Sequence, residues 1–212
     1  MNEKNLIPVW DILVRIFHWS LVLAFTIAYL SEDEFEDLHV YAGYVVLGLI
    51  CFRVVWGFIG SRYARFSNFI YSFAEIKAYL SSLLAKNPKH YLGHNPAGGV
   101  MIIALLLSLF AATLSGVKVY GVQGYGPLAD NGFEISIISE SQAHGDNKHD
   151  DEKSGTKKEE SAEEEFWEEI HEFFSNFTLL LIFIHIAGVV VASRVHGENL
   201  VRAMITGKKE NL

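Results

Sequence analysis

Nine histidines occur in the sequence, and four of them lie inside long apolar segments, where an ionisable side chain is costly. The four are His18, His39, His171 and His185. A single histidine in such a place is compatible with a packing role, but four require a common explanation. Because imidazole nitrogens bind transition metals, the chemistry that these side chains indicate is metal ligation.

The spacing sorts the four histidines into two levels. His171 and His185 are 14 positions apart, which in a helix puts both on nearly the same face, about 21 Å apart along the axis. His18 and His185 lie at similar depths in their apolar segments, and His39 lies near the start of its own segment. The predicted pairs are therefore His18 with His185 and His39 with His171.

Two imidazoles that face each other across a helix bundle suit the two axial positions of a haem iron. Zinc prefers four ligands at one centre, which one pair at each level does not supply. The sequence contains no Cys-x-x-Cys-His motif, so covalent haem attachment is excluded and two haem b groups are predicted. A metal-transport route is the competing interpretation, although it would normally also need carboxylates inside the spans.

Two arginines are candidates for binding the same cofactor. Arg53 follows His39 by 14 positions on the predicted second helix, so it shares the face of His39 but lies at the level of the other pair. A buried arginine there would pair with a haem propionate. Arg15, close to His18, would do the same or extend its guanidinium to the lipid headgroups.

Four apolar blocks must position these side chains: about residues 9–30, 38–60, 97–119 and 166–193. Half of the 212 residues are hydrophobic and 20% are charged, whereas a soluble domain carries about 25% charged residues. Each block is long enough to span the hydrocarbon core as a helix. The predicted fold is all-α, a single integral membrane domain built as a four-helix bundle, whose first span is retained rather than cleaved.

The charges of the links predict the orientation. The first link, residues 31–37, carries five acids and no base, whereas the second link and the tail are rich in lysine and arginine. The positive-inside rule then places both termini in the cytoplasm. His39 and His171 form the outer pair in this arrangement, and His18 and His185 form the inner pair.

The two longer links have different patterns. Apolar residues recur at helical spacing between Phe66 and Leu84, which predicts a short amphipathic helix on the cytoplasmic membrane surface. Residues 129–165 are predicted to form a mobile, acidic outer loop. The formal charge of −8 offers no basic surface for nucleic acid, and the single cysteine, Cys51, excludes a disulfide framework.

Several motifs together are typical of one family. They include Arg15-Ile16-Phe17-His18-Trp19, Leu38-His39-Val40-Tyr41-Ala42-Gly43-Tyr44, Gly93-His94-Asn95-Pro96-Ala97-Gly98-Gly99 and His185-Ile186-Ala187-Gly188-Val189. With these motifs the sequence resembles the bacterial cytochrome b561 family, which includes the cytochrome b subunits of nickel–iron hydrogenases. The resemblance covers nearly the whole chain apart from an acidic run at about residues 141–165.

The resemblance implies that the four histidines hold two b haems in the bacterial cytoplasmic membrane. It also implies electron exchange between the membrane quinone pool and a partner, often a c-type cytochrome or an attached redox subunit. Acidic residues at the outer face would steer a basic cytochrome c to the outer haem. For His94 two interpretations remain open: it lines a quinone pocket, or it caps the third span beside Asn95 and Pro96.

Two other functions remain as alternatives to this electron carrier. One is an oxidoreductase that passes electrons from superoxide or another small reductant to quinone, which would need a positively charged approach to the outer haem. Lys118 is the one base near that site outside the acidic run. The other alternative is a haem-bearing membrane anchor for a dehydrogenase or hydrogenase. The sequence therefore leaves open whether the protein is an electron-transfer protein or an enzyme that uses quinone.

Overall fold

The structure is a computed structural model that describes residues 6–32, 34–84, 89–129 and 151–210. Its elements are, in chain order, β1 (Leu6–Pro8), α1 (Ile12–Leu30), α2 (Glu36–Ile59), a 3₁₀ turn (Phe66–Asn68), α3 (Phe73–Leu84), α4 (Pro96–Val122), α5 (Asp151–His196), α6 (Leu200–Thr206) and β2 (Lys208–Glu210).

Four helices of the described part are long and apolar enough to cross a membrane: α1, α2, α4 and the Ala162–His196 part of α5. They coincide with the four blocks that the sequence predicts. The all-α membrane bundle is therefore confirmed. The short strands β1 and β2 are the part of the fold that the sequence analysis did not foresee.

Polar side chains fix where the helices begin. Asp11 accepts a hydrogen bond from the Val14 N–H at 2.8 Å and caps α1. Asn95 accepts one from the Gly98 N–H at 2.7 Å and caps α4, with Pro96 as the first helical residue. Each side chain satisfies a backbone donor that the first helical turn leaves without a partner.

The helices pack in a chain of neighbours, α1 against α2, α2 against α4 and α4 against α5. A small apolar core of Ala24, Val46, Ile50 and Leu109 joins α1, α2 and α4. A buried hydroxyl pair, Ser108 and Thr178 at 2.6 Å, links α4 to α5. In the described residues the backbone of α5 hardly approaches those of α1 and α2, so space remains between these helices.

One end of the bundle, which we call the strand end, carries both β1 and β2. The two strands pair antiparallel, with Ile7 opposite Lys209. The N–H groups of Val9 and Trp10 both donate to the Gly207 carbonyl, at 2.8 and 3.0 Å. The segment before α1 is thereby tied to the segment after α6. The other end of the bundle, which carries the α1–α2 and α4–α5 links, is called the opposite end.

The link between α2 and α4 contains the predicted amphipathic helix, as α3, but this helix begins only at Phe73. Ser72 and Glu75 form a reciprocal cap at its start: the Ser72 N–H donates to the Glu75 carboxylate at 2.9 Å, and the Glu75 N–H to Ser72 Oγ at 3.4 Å. Phe69, the residue that follows the 3₁₀ turn, packs into the bundle instead and is only 1% exposed.

The structure differs from the prediction of a mobile loop over residues 129–165. From Asp151 onward the chain is already helical and continues without a break into the fourth span. Residues 151–165 are rich in glutamate and lysine, which have high helix propensity, and a helix can extend from the adjoining span without a new nucleation step. The rest of the predicted loop, residues 130–150, lies outside the described residues.

Candidate functional site

The structure brings His39 of α2 and His171 of α5 together at the opposite end. Their ring centroids are 5.9 Å apart and the ring planes are nearly perpendicular, at 87°. The two helices make little other contact in the described residues, so the imidazoles face each other across the space between the backbones. This is the pair that the sequence predicts for the outer level.

Backbone carbonyl groups hold both rings. His39 Nδ1 lies 2.9 Å from the Ala28 oxygen on α1, and His171 Nδ1 lies 2.8 Å from the Ala112 oxygen on α4. A carbonyl can only accept, so each Nδ1 carries the proton and each Nε2 keeps its lone pair. This arrangement orients a histidine for metal ligation through Nε2.

A mostly apolar pocket surrounds this histidine pair. Its walls include Phe25, Gly43, Val117 and Tyr120. A side chain built at Gly43 would meet nothing within 4 Å, so this wall is set back from its neighbours. The hydroxyl of Tyr44, which also lines the pocket, is buried without a hydrogen-bond partner. The pocket therefore offers apolar walls, open space and one unused polar group.

The second predicted pair, His18 of α1 and His185 of α5, lies towards the strand end. The two imidazoles are close enough to interact electrostatically. His18 Nδ1 is buried without a partner, and its ring stands edge-on to Trp19 at 5.1 Å. Gly188, one turn after His185, has nothing within 4 Å of the position that a side chain would occupy.

Arg53 is 3% exposed and lies at the strand end of α2. Its Nη2 donates to the Ala64 carbonyl at 3.1 Å, and its guanidinium lies over the rings of Phe66 and Phe69, at 5.1 and 5.8 Å from their centroids. Its Nη1 has no partner. Arg53 therefore retains an unused donor at the level of His18 and His185.

Arg15 donates through Nη2 to the Ile205 carbonyl at the end of α6, and its Nε is buried without a partner. This contact ties α1 to the C-terminal segment, which is a third role beside the two that the sequence analysis weighed. Lys118 lies over the Trp167 ring at 5.8 Å, at the opposite end.

His94 lies at the strand end between two aromatic rings, 4.4 Å from Trp10 and 4.8 Å from Phe69. The capping hydrogen bond of α4 comes from Asn95, not from His94. Burial, together with the nearby charges of Arg53 and Lys209, lowers the pKa of His94 to about 3. Its imidazole is therefore neutral, and its Nδ1 has no partner.

The residues fit haem better than a metal-ion cluster. In the part of the chain that the structure describes, no three His, Cys, Asp or Glu side chains are placed to hold a metal ion together. Instead, imidazoles lie in two couples between helices whose backbones stay apart, beside buried donors without partners. Such couples suit iron porphyrin with two axial histidines.

The groups that orient the histidines were not predicted from the sequence. The acceptors for His39 and His171 are the carbonyls of Ala28 and Ala112, and a backbone carbonyl leaves no signal in the sequence. Gly116 was missed too: a side chain there would lie 2.8 Å from His171 Cε1, so only glycine leaves room for the ring.

A four-helix membrane bundle with histidine couples on two levels defines a class, the membrane cytochromes b. The chain matches the prokaryotic cytochrome b561 family over residues 9–207 and belongs to it. It is accordingly a b-type cytochrome of the membrane, with haem as its cofactor and electron transfer as its activity.

Two curated relatives are similar to the chain. One is a probable Ni/Fe-hydrogenase B-type cytochrome subunit of Rhodobacter capsulatus, 25% identical over 174 residues, with 67% of this chain and 66% of the relative covered. A protein of the same description from Azotobacter chroococcum mcd 1 is 32% identical over 175 residues, with 67% and 72% covered. The chain thus spans about two thirds of these relatives. No solved structure matches it significantly.

Proposed function

We propose that the protein holds two b haems and carries electrons across the bacterial cytoplasmic membrane. His18 and His185 hold the inner haem and His39 and His171 the outer one, with both termini in the cytoplasm. The observation that supports this proposal is the placement of two imidazole couples at two levels along α5. With two histidines to hold it, each haem would accept and donate electrons rather than bind oxygen.

The chain's own residues prepare the sites for this task. The Ala28 and Ala112 carbonyls fix the tautomers of the outer histidines. Apolar walls exclude water from the outer pocket, and Gly43 and Gly116 leave space where a side chain would intrude. Arg53 and Arg15 place unused donors at the inner level, where they would bind haem propionates.

We propose the quinone pool as one electron-exchange partner and a periplasmic redox protein, such as a c-type cytochrome, as the other. Acidic side chains support a basic partner at the opposite end. They lie in the α1–α2 link, at the start of α2 and on the first part of α5: Glu32, Glu34, Glu36, Asp37, Glu163, Glu164, Glu165, Glu168, Glu169 and Glu172. Such a field attracts a lysine-rich surface and accelerates its encounter.

The names of the relatives favour a second candidate, a haem-bearing subunit that anchors a hydrogenase or another dehydrogenase to the membrane. The remaining alternative, oxidation of superoxide or another small reductant, has less support. Lys118, the base on which it depends, lies over the Trp167 ring at 5.8 Å, and the residues that flank Trp167 in the sequence of α5 are mostly acidic.

Purified protein in lipid vesicles tests the proposal. Quinol is supplied in the membrane, and ferricytochrome c outside is the acceptor. We expect quinol-dependent reduction of cytochrome c that slows as ionic strength rises, because salt screens the acidic groups. His171→Ala should abolish this reduction, whereas His90→Ala, at the strand end and outside both couples, should retain it. Turnover only with a stoichiometric co-purified dehydrogenase would favour the anchor instead.

A further inference from the structure

Buried donors without partners concentrate at the strand end. Five buried side-chain nitrogens and oxygens of the described residues lack a hydrogen-bond partner, and four of these lie on Arg15, His18, Arg53 and His94. Leaving a buried donor unpaired costs free energy, so a cluster of such donors points to a group that they bind. The fifth atom, the Tyr44 hydroxyl, lies in the outer pocket.

Arg53 and His94 flank the same aromatic ring. Phe69 lies 5.8 Å from the Arg53 guanidinium carbon and 4.8 Å from the His94 ring centroid. The two side chains interact electrostatically with each other, and His94 also interacts with His185. Arg53 and His94 thus lie on the same aromatic ring and near the inner histidine couple, and Trp10 packs against His94 as well.

Among the described residues of this end, the carboxylates of Asp11 and Glu198 are already engaged. Asp11 accepts from the Val14 N–H at 2.8 Å, from Trp56 Nε1 at 3.2 Å and from the Ser61 hydroxyl. Glu198 pairs with Lys209 at 2.8 Å and with His90 at 2.6 Å. Asp11 is near enough to attract Arg53 electrostatically, but its oxygens are taken by these other donors. An anion from outside the protein would complete the set.

Part of the strand end is covered on the side that faces away from the bundle. Val9 is 3% and Lys209 6% exposed, and the pairing of β1 with β2 lies across this surface. An anion that reaches Arg53 and His94 therefore enters from the interior, where His18 and His185 lie. A carboxylate attached to the group that those histidines hold meets this requirement.

We infer that Arg53 and His94 form a carboxylate-binding site for a propionate of the inner haem, with His94 as its previously unassigned member. The inference rests on the proposed function, because it requires a haem on His18 and His185. The guanidinium supplies charge, and the neutral imidazole supplies a second donor held in place by Trp10 and Phe69. Both are positioning residues that act on the haem's carboxylate and not on its iron.

The test compares haem with haem dimethyl ester, which lacks the carboxylate charge. Both are loaded into apo-protein of the His171→Ala chain, which is expected to keep only the inner site, and their transfer to excess apomyoglobin is timed. We expect the ester to be transferred at least about tenfold faster than haem, because it lacks a charge-assisted hydrogen bond. When Arg53→Gln or His94→Phe is added to the His171→Ala chain, the transfer rates of haem and of the ester should become equal. Arg62 is an exposed arginine in the link between α2 and α4, so Arg62→Gln should keep the full difference between the two transfer rates.

Equal rates for haem and ester in the chain with intact Arg53 and His94 would overturn the inference while leaving the proposed function intact. Failure of the wild-type chain to hold any b haem would overturn the proposed function together with the inference. Because His94→Phe retains an aromatic ring between Trp10 and Phe69, it separates loss of the donor from loss of packing.

Discussion

The two ends of the bundle differ in how tightly their segments are held together. At the strand end, backbone pairing of β1 with β2, the Asp11 cap and the Glu198–Lys209 ion pair tie distant segments of the chain together. At the opposite end, two imidazoles held by backbone carbonyls face an apolar pocket with open space beside Gly43. One end is closed by its own contacts, whereas the other leaves room at its histidine couple.

The comparison indicates that the contacts that hold the helices together and the residues that would hold a cofactor lie in different parts of the molecule. Lipid offers no hydrophobic force between helices, so spans need packing and polar contacts to associate. The strand end supplies many of these contacts outside the membrane spans. The helix α5 can therefore stay apart from α1 and α2, as a flat macrocycle between them requires.

The largest effect should come from the histidines themselves. We expect His171→Ala and His185→Ala each to lose one b haem, and not the same one, because the two residues belong to couples at different levels. Redox titration of the haem absorbance should leave a single component in each variant, with a different midpoint potential in the two. The same residual component in both variants would contradict the assignment of separate couples.

A smaller effect should follow from crowding the closed end. A side chain at Gly99 would clash with the carbonyl oxygen of the buried Phe69, so the backbone just after the 3₁₀ turn would have to move. We expect Gly99→Ala to destabilise the protein by about 1–3 kcal/mol, as overpacked cores do. Thermal unfolding in detergent provides the measurement.

Gly48→Ala is the matched control, since a side chain there meets nothing within 4 Å and alanine favours the helix. Its unfolding temperature should equal or exceed that of the wild type. A Gly99→Ala chain as stable as Gly48→Ala would mean that Phe69 is not packed rigidly against α4.

The sequence predicted the parts of the molecule that depend on hydropathy and helical period. The four spans follow from apolar length, and the depths of His39 and His171 within them led to a couple that the structure brings together. Asn95 and Pro96 likewise signalled the start of α4, because capping is local in sequence.

What the sequence did not predict depends on contacts between distant segments. Leu6–Pro8 and Lys208–Glu210 are too short to signal strands, and each forms only because the other is near. Arg15 binds a carbonyl 190 positions away, which no period reveals. The acidic run was misjudged over residues 151–165 because its charge suggested disorder, while its helix propensity and the adjoining span extend α5.

The smallest expected effect is the loss of stability at low pH. Burial raises the pKa of Glu198 and of Asp11, but in each case hydrogen bonds outweigh it, from Lys209 and His90 for Glu198 and from Ser61, Val14 and Trp56 for Asp11. Both carboxyl pKa values are therefore below their ordinary range. The stability that they contribute is present above about pH 4.5 and is lost as the pH falls through the folded pKa values.

We therefore expect the unfolding temperature to decrease when the pH falls below about 4. Glu198→Gln should lower the unfolding temperature at neutral pH, so the decrease on acidification should be smaller in this variant. Glu34→Gln, an exposed acid at the opposite end, should leave the profile unchanged. An unaltered profile in Glu198→Gln would mean that the ion pair with Lys209 contributes nothing to closing the strand end.

Haem content measured on purified wild-type protein tests the central claim most directly. Pyridine haemochrome absorbance gives the number of b haems per chain, and low-temperature electron paramagnetic resonance reports their ligation. Two low-spin haems per chain, each with two axial histidines, are the predicted result. A single haem, a high-spin signal with an open axial position, or zinc in place of haem would contradict the claim.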